Sequence, residues 1–158
     1  MMVKLLRVDD RLLHGQVAFI WTSSLNISTI VVANDDAAND EFIRLTLELG
    51  RPRGVQLIID EIETVRRLLE DESFNKKNIL LIVNSIKDAI GLMDYCGGVR
   101  SINLGGLRMK PGANMITNSV ALTDNEISLC LDLMDQGIDL EVRQVPTENK
   151  ISLRNYIR

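Results

Sequence analysis

Short β-branched or leucine-rich runs that alternate with helix-period stretches constrain this chain more than any other feature. The runs occupy residues 3–8, 29–33, 55–59, 79–83, 101–104, 119–122 and 140–143. Those at 29–33, 55–59 and 79–83 are nearly continuous apolar, as strands covered on both faces of a parallel sheet are. Between the runs, apolar residues recur at helical spacing over 15–21, 40–49, 61–70, 86–95 and 124–136. Repeated β-α-β units of this length require right-handed crossovers. The expected fold is therefore one open α/β domain, its mainly parallel sheet of about seven strands carrying helices on both faces.

Local signals mark the ends of the helices. Ser85 with Asp88, and Thr123 with Glu126, have the spacing of capping boxes, in which a hydroxyl and a carboxylate each satisfy a free backbone N–H. Gly50, Gly97 and Gly137 stand where a helix would end in a left-handed residue. The stretch Gly105 to Asn114 reads as a loop. No repeat, low-complexity tract or linker divides the chain, so the expected domain spans residues 1–158.

At 158 residues the chain can bury roughly 70% of its unfolded surface, so it needs neither disulfide nor metal to hold a core. Its 18 basic and 22 acidic residues leave a net charge of −4, against a dedicated nucleic-acid binder. Cys96 and Cys130 form no C-x-x-C pattern and fit reduced, packed thiols of a cytosolic protein. No apolar run approaches the ~20 residues of a membrane span, and the first ten residues lack a signal-peptide core. The expected location is cytoplasmic.

In open α/β sheets, ligands gather beyond the carboxyl ends of the strands. The segment after the first run, Asp9 to Gln16, is the densest in polar groups there, and it holds the one histidine, His14. Further candidates at the same edge are Asn34 and Asp35, Asn84 and Ser85, and Gly105 and Gly106. His14 stands where the first helix should begin, and a helix N-terminus favours a phosphate. Arg7 and Arg11 can add charge-assisted hydrogen bonds, and Gly15 and Gln16 can supply backbone N–H groups. Asp9 or Asp10 can accept from one ring nitrogen and leave the other nucleophilic. The arrangement suits a histidine that carries a phosphoryl group transiently.

Blander readings stay open on these residues alone. Arg7, Asp9, Asp10 and Arg11 would serve equally as a solvated ion-pair loop around a surface histidine. Asn34 and Asp35 fit a turn and helix start as well as a site, and Trp21 fits the apolar stripe of the first helix. Gly105-Gly106 belongs to no G-x-G-x-x-G or P-loop pattern. One histidine and two distant cysteines give no metal-ligand spacing.

The segment from Arg7 to Val17, with Asp9-Asp10-Arg11 and His14-Gly15-Gln16 inside it, resembles the active-site segment of IIB components of the bacterial phosphotransferase system, in the mannose/fructose/sorbose class. Asn34-Asp35, Asn103-Leu104-Gly105-Gly106 and the stretch Gly137 to Glu148 are similar too. The resemblance implies a cytoplasmic phosphocarrier, peripherally associated with the inner face of the membrane. His14 would take a phosphoryl group on Nδ1 from a phosphorylated IIA domain and pass it to a sugar imported through the membrane components IIC and IID. It implies Arg11 and Asp10 as the loop arginine and acid of that family, and neither metal nor other cofactor. An alternative from another class is a regulatory phosphoreceiver, whose phosphorylation at His14 controls binding to a regulator. Arg51 with Arg53, and Arg108 with Lys110, are candidate contacts to the IIA domain or the membrane components. The transported sugar and any homo-oligomer formation stay open.

Overall fold

The computed structural model describes residues 3–157; Met1, Met2 and Arg158, the ends of the expected domain, lie outside them. Nine strands and six helices follow one another along the chain: β1 (Val3–Asp9), α1 (Gly15–Leu25), β2 (Thr29–Ala33), α2 (Asp35–Asn39), α3 (Glu41–Glu48), β3 (Gln56–Asp60), α4 (Ile62–Glu70), β4 (Ile79–Val83), α5 (Ile86–Met93), β5 (Ser101–Gly106), β6 (Ala113–Met115), β7 (Ala121–Thr123), α6 (Asp124–Asp135), β8 (Asp139–Val142) and β9 (Ile151–Ser152). Two single 3₁₀ turns complete the described residues.

The main sheet has seven strands in the order β3-β2-β4-β1-β5-β8-β9, all parallel except β9, which runs antiparallel to β8. Successive side chains of a strand alternate between faces, which divides the core in two. Leu6, Val8, Val31, Leu81, Val83, Ile102 and Leu104 pack under α4, α5 and α6. Ile30, Val32, Leu80 and Ile82 pack with Ala18, Trp21 and Leu47, under α1 and α3. Both faces of β2 and β4 are buried throughout, which is why those runs read as continuous apolar. Each fully buried Leu or Ile here contributes roughly 1.5–3 kcal/mol.

Two expectations need correction. The run at 119–122 does not join the main sheet: β7 pairs antiparallel with β6 in a separate two-stranded ribbon, and β9 supplies the seventh strand. A run of three or four apolar residues buries equally well in either setting, so its pattern could not discriminate. Gly50 does not end α3 in a left-handed conformation, although Gly97 and Gly137 do adopt positive φ, 68° and 85°. Gly50 is small for another reason: a Cβ there would stand 3.2 Å from the Gly15 nitrogen. The close approach lets α3 end against the first residue of α1.

Capping follows the expected signals with one difference. Thr123 and Glu126 form the complete reciprocal box. Ser85 accepts from the Asp88 N–H at 3.1 Å, and only that half of the second box forms.

Candidate functional site

The carboxyl end of β1 places Arg7 and Asp9 on the same face of the sheet, the face that α1 covers. Asp9 is completely buried, yet three groups donate to its carboxylate. Oδ2 accepts from Arg7 Nη2 at 3.0 Å and lies 3.0 Å from His14 Nε2, while Oδ1 accepts from the Arg11 backbone N–H at 3.0 Å. Burial alone would push this carboxyl up; the hydrogen bond with His14 and the charge of Arg7 more than reverse that and hold it below the usual carboxylate range. An ionised carboxylate only accepts, so His14 Nε2 carries the proton and Nδ1 keeps its lone pair.

The loop from Asp10 to Leu13 turns sharply to bring His14 back over Asp9. Leu12 N–H donates to the Asp9 carbonyl at 2.9 Å, and Leu12 adopts φ of 59°. A left-handed leucine costs about 1–2 kcal/mol. Its side chain is 7% exposed and packs with Leu13, Ala18 and Trp21, and burial of roughly 1.5–3 kcal/mol offsets the strain.

His14 is the N-cap residue immediately before α1, its side chain 29% exposed and making no capping bond. The first backbone N–H groups of α1, from Gly15 and Gln16, have no partner within the helix, and no acidic residue occupies its first turn. The Arg11 side chain is 49% exposed, with Nε 3.9 Å from Asp9. An imidazole with a free lone pair, a helix N-terminus and a half-exposed guanidinium can together hold a phosphoryl group.

Two of the expected site residues are engaged by other partners in the structure. Arg7 is 2% exposed, and its fork is already occupied by Asp9, by Asn103 Oδ1 at 2.7 Å and by the Arg143 carbonyl at 3.2 Å. Its donors are thus turned to Asp9 and the sheet interior. Burial lowers its pKa against the opposing charge of Asp9. Asp10 points away from His14: its carboxylate accepts from the Arg108 backbone N–H at 2.7 Å and pairs with Arg108 Nε at 3.2 Å. Asp10 thus ties the His14 loop to the end of β5, and the tautomer of His14 rests on Asp9.

The remaining candidates spread along the same edge. Asn34, 7% exposed, caps α2 by accepting from the Ala37 N–H at 2.8 Å, and Asp35 accepts from the Ile62 N–H at 2.9 Å. Both stand two strands away from β1 and act on local structure. Asn84 and Ser85 follow β4, the neighbour of β1, and Ser85 caps α5. Gly105 and Gly106 are buried at the end of β5, and a Cβ on Gly105 would overlap the Arg7 guanidinium. Of the basic pairs, Lys110 binds Glu126 at 2.9 Å and Arg51 donates to the Val55 carbonyl at 3.1 Å.

Sequence reading missed the polar row behind Arg7. In the sheet Arg7 pairs with Asn103 and Asn103 with Glu141, so three polar side chains cross β1, β5 and β8 in line. Asn103 Nδ2 donates to Glu141 Oε1 at 3.1 Å, and Arg143 grips Glu141 through Nε at 3.0 Å and Nη2 at 2.9 Å. The signal was present as Asn103 between Ile102 and Leu104 and Glu141 between Leu140 and Val142, polar residues flanked by apolar ones. Trp21 lies in the core as expected, but it also donates its indole N–H to the Gln144 carbonyl at 2.8 Å. The Arg7 and Arg143 guanidiniums stand 5.8 and 5.1 Å from its ring.

Fold and site together define an open α/β domain that offers one imidazole at a helix N-terminus, backed by a buried carboxylate. The family model described as PTS system sorbose subfamily IIB component matches residues 3–158, and the chain belongs to that family of phosphotransferase components. A probable phosphotransferase enzyme IIB component of Streptococcus pyogenes is 33% identical, with 99% of each chain covered. The mannose-specific EIIAB component of Escherichia coli K12 is 32% identical over 99% of this chain, which spans 49% of that longer protein. The IIBSor domain of the sorbose permease from Klebsiella pneumoniae has the same fold, with a TM-score of 0.91 at 26% identity over 99% of this chain and 96% of that one. No helix among the described residues is long and apolar enough to cross a membrane.

Proposed function

We propose that this chain is a single-domain cytoplasmic phosphocarrier in which His14 Nδ1 receives a phosphoryl group from the phosphohistidine of a IIA domain. It then gives the group to a sugar entering through IIC and IID, with which it associates at the inner face of the membrane. The observation that carries this reading is the 3.0 Å contact between His14 Nε2 and the buried Asp9 carboxylate, which leaves Nδ1 as the nucleophilic nitrogen.

In the first transfer the donor N–P bond breaks as the Nδ1–P bond forms, and the ring of His14 becomes cationic while keeping its Nε2 proton. Asp9 balances that charge at no cost in reorganisation. Arg11 and the amides of Gly15 and Gln16 hold the phosphoryl oxygens, so positioning and charge stabilisation supply most of the rate. In the second transfer the Nδ1–P bond breaks as a sugar hydroxyl forms the O–P bond; the imidazole leaves neutral with its Nε2 proton, and the hydroxyl proton is released to water.

The test is phosphorylation from phosphoenolpyruvate with enzyme I, the histidine-containing phosphocarrier and a IIA domain. An acid-labile label, absent from His14→Ala and assigned by NMR to Nδ1, is the expected result. A label retained by His14→Ala, or none from any IIA partner tried, overturns the reading.

A further inference from the structure

We propose that Asn103 and Glu141, which touch neither His14 nor its loop, are positioning residues that fix the tautomer of His14 through Arg7 and Asp9. The inference rests on the phosphocarrier reading only for its rate measurement.

The two neutral tautomers of an imidazole differ little in intrinsic energy, so its hydrogen-bond partner selects between them. Here the selection is transmitted along a chain in which every group has one permitted sense. Glu141 is buried and accepts from Arg143 on both oxygens, so Asn103 must turn its amide NH₂ toward it at 3.1 Å. The same NH₂ donates to the Arg143 carbonyl at 3.1 Å. Asn103 Oδ1 is thereby aimed at Arg7, which only donates, and accepts from Nη1 at 2.7 Å. A flipped amide would set NH₂ against guanidinium. With Nη1 anchored on Asn103, Nη2 is presented to Asp9 Oδ2, which faces His14 Nε2.

The row is built on strand register rather than on loops. Arg7, Asn103 and Glu141 are direct neighbours across three parallel strands, and each is at most 3% exposed. No buried polar side-chain atom among the described residues lacks a partner, so the row has no slack to absorb a lost bond. A reacting group displaced by about 1 Å can lose about 100-fold in rate.

The chain has a single histidine, so ¹⁵N NMR reports its tautomer without assignment ambiguity. The wild type is expected to show the Nε2–H form of the neutral ring. Asn103→Leu keeps the branching at Cγ and removes both polar ends; the Nδ1–H form should rise to a comparable population and phosphorylation by a IIA domain should slow about 10- to 100-fold. Glu141→Gln keeps the shape and removes the charge, and should shift both readouts the same way by less. If Asn103→Leu does not fold, Glu141→Gln decides. A wild-type tautomer in the folded variants overturns the proposal, whether or not transfer slows, because a merely structural role would affect rate or stability alone. A tautomer that shifts in a protein that no IIA domain phosphorylates upholds it and removes the phosphocarrier reading instead.

Discussion

The Arg7 guanidinium fills the space that any side chain at Gly105 would need. One strand therefore keeps a glycine so that a charge on its neighbour can lie in the sheet interior and hold Asp9. Gly105, a site candidate by its place at the carboxyl edge of the sheet, is a requirement of the buried ion pair.

Gly105→Ala should accordingly be far from conservative. Arg7 cannot swing aside without leaving Asn103, Asp9 and the Arg143 carbonyl, and breaking a buried charged network costs about 3–5 kcal/mol. Urea unfolding should show a loss of that size. Gly106→Ala is the control, since its Cβ would meet Asp9 Oδ1 at an ordinary 3.5 Å.

Asp9 should leave a mark on acid stability. Its folded pKa lies below the unfolded value, so its stabilisation is present above the unfolded pKa and is lost as pH falls through the folded one. With an unfolded value near 3.9, the wild type should lose stability below about pH 4, and Asp9→Asn should flatten that limb. The amide can also donate to Nε2 and favour the wrong tautomer, a change that costs about 10⁴-fold in a serine-protease triad. Chemical denaturation across pH 2–7, paired with phosphorylation rates, checks both effects (an acid limb unchanged in Asp9→Asn would contradict the first).

The two arginines should separate by kind of effect. Arg11 is half-exposed, so Arg11→Lys should leave stability within about 0.5 kcal/mol while slowing transfer through loss of the planar fork. Arg7→Lys should destabilise by about 2–4 kcal/mol, because one ammonium cannot span Asn103 and Asp9 together. Near-normal transfer by Arg11→Lys would argue against bidentate contact with the phosphoryl group.

Both cysteines should be inert in the native protein. Cys96 and Cys130 are fully buried, and burial, with Asp94 near the first and Glu126 near the second, pushes each thiol up to about 12. A thiol reagent at pH 8 should modify neither until denaturant is added, and then both. Rapid labelling of the folded chain would refute this.

Much of the fold was legible because burial writes itself into periodicity. Runs such as 79–83 must be covered on both faces, and the stripes of α4 and α5 must meet a sheet. His14, Arg11 and Asp9 were legible as a group because one short loop carries them. The burial of Arg7 was not legible, since an arginine two residues before Asp9 looks the same in sequence whether it faces solvent or the sheet interior.

The parallel α/β architecture, the loop that bears the histidine and the capped helix ends are written in the order of residues. Those follow from local chemistry and from a hydrophobic pattern that only one class of packing can bury. Which carboxylate faces His14, why Gly50 and Gly105 are small, and that Asn103 and Glu141 stand behind Arg7 emerge only once the chain is folded. Those depend on strand order and register, which bring residues 96 and 38 positions apart into hydrogen-bond contact and which no local pattern encodes.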